Sequence, residues 1–546
     1  MRPASSTFTG PASMGRLPRY SGLYFDDFAT ESAWIREQAA LRLPPCKAVT
    51  TLILRGEYRP HPDARGPEAS APGLICLLNG IKAGEIHPSS PGPFEMQLSL
   101  PRDAADREAL LTCRLEGVGR TNALAWLGRV TGLGALQRFR HQVKNRQLRI
   151  ASLTTTDGEV IFDFSLRLSP FSAAFARKHA RLGLNIVGFL TADLGVGESA
   201  RCMVRAADAA GIPSALIPLK LHCKNRLGDP TYTARLQETN PFPVNIVHLD
   251  PPASPDLDHH HGKKFRTGHY NIAYWAWELP EFPDAWLPHF SFFDEVWCPS
   301  EFVRSAIAAK SPLPVITMPH AISFAPPAGD GRARFGLPAG KFLFLSLYDL
   351  NSYSERKNPR GTIEAFRRSG LDANGAALVI KVQNIAGNEA DFAALQAALH
   401  DLPGAILLTD TLSRGEVYLL ESACDCFVSL HRSEGFGLAV AECMALGKPV
   451  ISTNWSATAE FVTAQTGCPV NFTLTTLTRS HGPYSKGQVW AEPDLAHAAS
   501  WMQRLAADRA LGHSLGQAAR LAIETHFSPA VIGARYRNRL EAIAAF

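Results

Sequence analysis

The sequence has no apolar run long enough to cross a bilayer as a helix, which takes about 18–20 residues. Nor is it dominated by charge of one sign: 55 Lys and Arg stand against 50 Asp and Glu, a formal net charge of +5 over 546 residues. That balance excludes bulk electrostatic binding of nucleic acid, though not a local basic patch for a phosphate or a membrane surface. Cysteine is sparse, and none of the ten forms a CxxC pair, so no dithiol or zinc motif is spelled out. Most lie in apolar contexts, such as Cys76 in GLICLLNG and Cys426 in CDCFVSL, and read as buried reduced thiols. The opening stretch MRPASSTFTGPASMGRLPRY lacks the apolar core of a secretory signal. A cytoplasmic protein is therefore expected.

What is present is the composition of a globular protein, 46% hydrophobic and 19% charged. Residues 1–22 are rich in Ser, Pro, Gly and Arg and read as a mobile tail. Residues 23–172 carry strand-sized apolar runs separated by Gly, Pro and Asp turns, which predicts an all-β sandwich as an accessory domain. One insertion, 123–147, has a helical pattern and a basic end. It is a candidate for peripheral contact with an anionic membrane, or for packing on the sandwich.

After about residue 182 the pattern changes to strands alternating with helices. NIVGFL, a Gly-containing loop, the helix ARCMVRAADAAG and the strand SALIPLK form a β–loop–α–β unit. This series runs over 182–325. A linker-like stretch, PPAGDGRARFGLPAG, precedes a second series over 340–525, and a last helix occupies 526–546. The expected fold is α/β, with two doubly wound Rossmann-like domains facing each other across a cleft behind the β-sandwich. The last helix is expected to pack back towards the first of them. In such sheets ligands lie beyond the C-terminal strand ends, so the cleft is the expected active site.

The most informative segment is HRSEGFGLAVAECMALGKPVI, residues 431–451. Glu434 follows the strand CFVSLH, and Gly435 and Gly437 permit close backbone approach to a ligand. A helix is expected to begin near Gly437, offering free amides at Phe436, Gly437 and Leu438 to an anion or hydroxyl. Glu442 would lie roughly 7 Å along that helix, at 1.5 Å rise per residue. Two carboxylates so placed suit the vicinal hydroxyls on either side of a diphosphate. On its own a Glu pair at this spacing is common, and an ordinary loop–helix with exposed glutamates remains open.

In its full setting, strand–SEGFGL–helix–GKPVI–strand, the segment resembles the signature of the retaining glycosyltransferases of family 4, which have the GT-B fold. SLHRSEGFGL with a preceding RKNP looks closest to bacterial polysaccharide transferases, many of them mannosyltransferases. The resemblance extends over roughly 182–546. It implies that Glu434 touches the donor sugar. It implies that Phe436, Gly437 and Leu438 present amides to the sugar and diphosphate, and that Glu442 binds the ribose.

Other residues take candidate roles beside that signature. Arg356 and Lys357, in SLYDLNSYSERKNPRGTIEAF, would neutralise a diphosphate leaving group in place of a metal ion. The family's usual Arg falls on Ser352 here, so Arg356 would supply the second charge by another route. Gly195 and Gly197, in LTADLGVGESA, resemble a dinucleotide fingerprint, but the ribose-binding acid expected after the next strand is missing. In the resembled family such a loop faces the donor diphosphate. His248, Glu278 and Trp277 stand near strand ends and are acceptor-side candidates. Asn454 and Ser456 are candidates for the donor pocket, and Asn454 for donor binding in particular. His259, His260 and His261 lack ligand-like spacing and read as a solvated loop.

The function this predicts is a retaining, metal-independent hexosyltransferase of surface polysaccharide synthesis. It would use a nucleotide sugar (GDP-mannose is the first guess, from resemblance) and a glycan or lipid-linked acceptor. It would need no cofactor. A carbohydrate-binding protein with an inactive transferase unit is the main alternative, and an NAD-dependent oxidoreductase built on Gly195 and Gly197 a weaker one.

Overall fold

The structure is a computed structural model. It describes residues 20–24, 33–43, 50–59, 72–100, 109–116, 148–158 and 160–163, and 183–544 except 267–268, 312, 326–327 and 372–374. Nearly all of the expected tail, and the whole of the basic segment 123–147, lie outside the described residues.

The first region holds nine strands: β1 (Tyr20–Tyr24), β2 (Ala33–Leu43), β3 (Thr51–Tyr58), β4 (Gly73–Leu78), β5 (Ile81–Ile86), β6 (Gly92–Ser99), β7 (Ala109–Glu116), β8 (Leu148–Thr155) and β9 (Val160–Asp163). They pair antiparallel in one sheet, in the order β5-β4-β7-β2-β8-β3-β6, with β1 on β2 and β9 on β8. Alternate residues of β3, β6 and β7 are buried, the period of a sheet with one dry face. Leu41, Leu54, Leu98, Leu111 and Ile150 share one core. The two end strands approach each other: a Cβ on Gly84 of β5 would stand 2.7 Å from the Gln97 carbonyl oxygen of β6. The expected sandwich thus takes the form of a single sheet curled on itself. Cys76 and Cys113 sit opposite each other inside it as free thiols, Sγ to Sγ 3.5 Å.

The second region is a six-stranded parallel sheet of β10 (Leu184–Gly188), β11 (Ser214–Pro218), β12 (Val244–His248), β13 (Tyr270–Tyr274), β14 (Glu295–Cys298) and β15 (Val315–Thr317), ordered β11-β10-β12-β13-β14-β15. Its helices include α1 (Gly195–Ala209), α2 (Ser254–His261) and α3 (Glu301–Ala308). The three consecutive histidines, expected in a loop, form the last turn of α2, where cationic or polar ends suit the helix dipole.

The third region is another six-stranded parallel sheet: β16 (Phe342–Asp349), β17 (Ala376–Gln383), β18 (Ala405–Leu408), β19 (Cys426–Ser429), β20 (Val450–Thr453) and β21 (Cys468–Val470), ordered β18-β17-β16-β19-β20-β21. Around it lie α4 (Ser354–Lys357), α5 (Pro359–Ser369), α6 (Glu389–Leu399), α7 (Arg414–Ala423), α8 (Leu438–Ala445), α9 (Leu495–Ala507) and α10 (Arg509–Phe527). An antiparallel hairpin, β22 (Phe472–Thr476) with β23 (Val489–Pro493), interrupts the α/β pattern. Finally α11 (Pro529–Ala544) returns to the first parallel sheet. Its Arg539 pairs with the buried Glu295 of β14, Nε to Oε1 2.8 Å, and Tyr536 packs on Trp297. Two doubly wound domains across a cleft constitute the GT-B arrangement.

The strand orders fix where a ligand binds. Strand order reverses between β10 and β12 in one sheet and between β16 and β19 in the other, and the loops leaving those strands diverge to opposite faces. The first crevice is lined by the loop into α1 and the residues after β12. The second is lined by the loop into α4 and the residues after β19.

The opposite end of the first parallel sheet is tied by a ladder of buried asparagines. Asn185, Asn245 and Asn271 stand in register on β10, β12 and β13. Asn185 Nδ2 donates to Asn245 Oδ1, and Asn245 Nδ2 to Asn271 Oδ1, each at 2.9 Å. Asn245→Ala strands polar partners on both sides, so we expect a loss of about 1–3 kcal/mol, the cost of unsatisfied buried polar groups. A urea midpoint unchanged from wild type would refute the ladder's structural role.

Candidate active site

Glu434 follows β19 at the switch point of the third region and is 7% exposed. Its backbone is pinned at both ends: its amide donates to Ser456 Oγ at 2.8 Å, and its carbonyl accepts from Ala457 at 3.2 Å. Ser456 has φ +61°, one of few non-glycine residues in that region, and such strain concentrates at functional sites. Gly437 takes φ +91°, and a Cβ there would lie 2.6 Å from Thr458 Cγ2. The turn therefore needs glycine on two counts. α8 starts at Leu438 rather than Gly437 because Gly437 is the left-handed cap. The amides beyond reach of any intrahelical carbonyl consequently run from Leu438 to Val440, two residues further along than expected. Phe436 is turned away from the crevice and packs on His320, Phe461 and Phe527.

Two cations compensate the buried carboxylate. Lys357 Nζ donates to Glu434 Oε1, and Arg356 Nη1 lies 3.2 Å from Oε2. Burial alone pushes the Glu434 carboxyl up, but Lys357 and then Arg356 outweigh it and hold the group at about 2. The two cations are not equivalent. Arg356 is almost fully buried; Nη1 also donates to the Ser433 carbonyl at 3.0 Å, and Nη2 is 3.9 Å from Glu278 Oε1. Lys357 keeps about a quarter of its side chain exposed. Arg356, expected to meet a leaving group directly, instead lies buried behind Glu434, and Lys357 is the more exposed cation. Asn358 sets this up: its left-handed backbone joins α4 to α5, its Oδ1 caps α5, and its Nδ2 donates to the Leu430 carbonyl at 2.9 Å.

Glu442 lies on the second turn of α8 and is 3% exposed. It is already partnered, by Arg414 Nη2. Arg414 also reaches across to Glu198 of α1, Nε to Oε2 3.6 Å, and Glu198 is bonded by Arg201 and Arg205 of its own helix. Glu421, close by, has both carboxylate oxygens buried and without a hydrogen-bond partner, and burial pushes its carboxyl well above the usual range. Sequence reasoning missed Arg414. Its signal was present in the capping box Ser413–Glu416, which starts a helix at the C-terminal end of β18 and so aims its first residue at the crevice.

On the facing domain, α1 starts at Gly195 with no side-chain cap. A Cβ on Gly195 would meet nothing within 4 Å, so this end is open to a ligand. Gly197 has a different reason: a Cβ there would stand 2.6 Å from the Phe189 carbonyl oxygen and 2.7 Å from that of Ala192. Glu278 lies beside Arg356 and accepts from Tyr484 Oη at 3.0 Å. The other acceptor-side candidates do not face the crevice. His248 is fully buried, stacked on Tyr274, with Nδ1 3.1 Å from Ser199 Oγ. Burial pushes its imidazole down to about 3, so it is neutral. Trp277 is buried against Phe282, Trp286 and Tyr484, its Nε1 donating to the Glu281 carbonyl. Trp277 and Glu278 both follow β13, which ends at Tyr274, but of the two only Glu278 keeps part of its side chain exposed, beside Arg356. Asn454 is half-buried at the end of β20, its amide donating to Val470.

Several bonds cross between the domains around this site. Ser300 Oγ donates to the Gly435 carbonyl at 2.7 Å, Ser433 Oγ to that of Glu278, and Asn225 Nδ2 to Asp349 Oδ2 at 2.8 Å. Glu460 accepts from the amides of Glu301 and Phe302 at the start of α3. Among the described residues no group of three His, Cys, Asp or Glu is placed to hold a metal ion, and no helix is long and apolar enough to cross a membrane.

Residues 332–469, about a quarter of the chain, match the family model described as glycosyl transferases group 1. That stretch contains Arg356, Lys357, Glu434 and Glu442. No curated protein matches the chain. Among solved structures, a sucrose-phosphate synthase from Thermosynechococcus elongatus is similar at 15% identity and a TM-score of 0.47, over 65% of this chain and 98% of that one. HepE of Anabaena, in complex with UDP and glucose, is similar at 14% identity and 0.46, over 65% and 98%. A glycosyltransferase from Rickettsia africae is similar at 12% identity and 0.47, over 66% and 98%. The family match supports glycosyl transfer as the chemistry of this crevice.

The Glu434 cluster has a testable pH signature. Its folded value of about 2 lies below the ordinary carboxyl value near 4.3, so its stabilisation is complete above about pH 4.5 and is lost as pH falls towards 2. Glu434→Gln takes the carboxylate partner from Lys357 and leaves Arg356 only Glu278 at 3.9 Å, and is expected to cost about 3 kcal/mol near neutral pH. The gap in melting temperature between wild type and variant should narrow below pH 4. A gap that is constant down to pH 3 contradicts the ion cluster.

Proposed function

We propose that the chain transfers a hexose from a nucleoside-diphosphate sugar to a glycan or lipid-linked acceptor, with retention of anomeric configuration and without a metal ion. The observation that carries this reading is the meeting, at one switch point, of Glu434, Lys357 and the open start of α8, opposite the uncapped start of α1. Two helix starts and a cation make a crevice built for a diphosphate. In the proposed reaction the bond between the sugar C1 and the phosphate oxygen breaks, its electron pair leaving with the diphosphate. An acceptor hydroxyl forms the new C1–O bond on the same face, and its proton passes to the departing phosphate oxygen. Lys357 and the amides of Leu438 to Val440 stabilise the negative charge on the leaving group. Glu434 accepts hydroxyls of the donor sugar, and Arg356 holds it in place. Glu442 is assigned to the ribose, which requires Arg414 to release it. Mannose from GDP is the first donor to test, on the resemblance of SLHRSEGFGL and RKNP to bacterial mannosyltransferases.

Thermal shift against GDP-mannose, UDP-glucose, GDP, UDP and NAD, with EDTA present, tests the donor. Ligands selective for the folded state raise the melting temperature by mass action. One nucleotide sugar should stabilise the protein in EDTA, and NAD should not. Glu434→Ala should lower turnover of that donor at least 100-fold, about 2.7 kcal/mol of transition-state stabilisation. Full activity in this variant, or stabilisation only when a divalent cation is added, removes the reading as stated.

A further inference from the structure

The crevice has a feature that the donor reading does not use. Tyr353 stands three residues before Arg356 at φ +61° and ψ 102°, a backbone conformation costly for a bulky residue. Its side chain is not buried as compensation; the residue is 38% exposed, one of few large hydrophobics so placed. The strain is held by what lies around it. Its carbonyl accepts from the amides of Arg356 and Lys357, so the same turn that places the cations also raises the ring. The neighbouring Gly482 makes room: a Cβ there would sit 2.2 Å from the Tyr353 ring.

Gly482 belongs to the loop of the hairpin β22–β23, and that loop reaches over to the other domain. Tyr484 is buried within the apolar cluster of the first parallel domain, against Trp277, although it comes from the second. Its ring meets Tyr353 edge-on at 5.5 Å and lies under the Arg356 guanidinium at 5.9 Å. Its hydroxyl donates to Glu278 Oε2, and burial pushes the phenol well above its ordinary range, so it stays a donor. Glu278 keeps about a fifth of its side chain exposed. The base of the hairpin is clamped by Arg432 to Glu492, and its loop by Gln488 Nε2 to the Glu281 carbonyl at 3.1 Å.

An exposed aromatic ring and a partly exposed carboxylate, both held against Tyr484, supply the chemistry that recognises a pyranose. The ring takes the C–H face and the carboxylate takes hydroxyls. We propose that Tyr353 and Glu278 form a pyranose-binding subsite at the acceptor side of the crevice, with Tyr484 as the positioning residue that fixes Glu278 and closes the hairpin over it. This rests on the transferase reading above and adds to it that the acceptor presents a sugar ring. Because Tyr353 and Tyr484 come from the nucleotide-side domain and Glu278 from the other, the subsite exists only when the cleft is closed.

The test uses the full chain saturated with whichever of GDP or UDP stabilises it, and three probes: the methyl α-pyranosides of mannose, glucose and galactose, titrated by saturation-transfer NMR. At least one should bind saturably to wild type. Tyr353→Ala should weaken that binding at least 10-fold, Tyr353→Phe should retain it, and Glu278→Gln should weaken it. Tyr484→Phe keeps the ring packing and removes only the hydroxyl, and is expected to weaken the pyranoside about 5-fold. Nucleotide affinity and melting temperature should be unchanged in Tyr353→Phe and Tyr484→Phe, which separates positioning from folding. Absence of pyranoside binding to wild type, or wild-type binding in both Tyr353→Ala and Glu278→Gln, overturns the subsite. Wild-type binding in Tyr484→Phe overturns the positioning role. Failure of both nucleotides to stabilise the protein would instead strike the donor reading, which is a separate result.

Discussion

The site depends on one constraint: Glu434 is a carboxylate that water barely reaches, and it stays charged. Burial of an uncompensated carboxylate would neutralise it. Lys357 and Arg356 prevent that, and they arrive together because Asn358 adopts a left-handed conformation that turns α4 into α5 directly over β19. The side chain of Asn358 then ties the turn to Leu430, and the backbone carbonyl of Arg356 accepts from Arg432 at 2.8 Å. The loop carrying the anion and the turn carrying the cations are thus a single cross-linked piece. Ser456 completes it from the far side, at the expense of a strained backbone.

Sheet topology explains why such a piece can face a partner domain. At each order reversal two adjacent strands send their loops apart, and the gap between them is the one place where a ligand reaches backbone amides and strand-end side chains together. Each parallel sheet has one such gap, and the hydrogen bonds that cross the cleft gather around both. Ser300 to Gly435, Ser433 to Glu278 and Asn225 to Asp349 are short-range and largely uncharged, so each contributes modestly and exchanges readily with water. Two charged contacts, Arg414 with Glu198 and Arg356 with Glu278, also part when such a cleft opens, and most of what crosses it is polar. The hairpin β22–β23 is the exception, since it inserts apolar side chains (Leu477, Tyr484 and Trp490) into the facing domain's cluster.

How much of this was legible follows from the range of each interaction. The two α/β series were readable because buried parallel strands are continuous apolar runs and their helices are locally periodic. The positions of Glu434, Gly437, Lys357 and Gly195 were readable because loop-to-helix glycines and strand-end charges have local sequence marks. The roles of Arg356, His248 and Trp277 were not, because whether a strand-end side chain points outward or into a core depends on neighbours distant in sequence. His248 is claimed by Tyr274 and Ser199, and Arg356 by Ser433, Glu434 and Glu278. Tyr484 and Tyr353 carried no periodic mark at all. Tyr484 lies in the hairpin's connecting segment TLTRSHGPYSKGQ, which is mostly polar and without periodicity.

If Glu442 binds the ribose as proposed, charge balance links recognition to closure. Here it is held by Arg414, so a ribose can take it only if that arginine lets go. Arg414 already leans on Glu198, 3.6 Å away on the facing domain, so releasing Glu442 leaves its charge still opposed. Burial pushes the carboxyl of Glu421, behind it, well above its usual range. Ribose hydroxyls are neutral donors, and they satisfy Glu442 without importing a charge into a pocket already crowded with them. In that exchange Arg414 shifts its weight from its own domain to Glu198 on the other. On the proposed function, filling the ribose position would strengthen a contact that spans the cleft, and donor binding and domain closure would share one arginine.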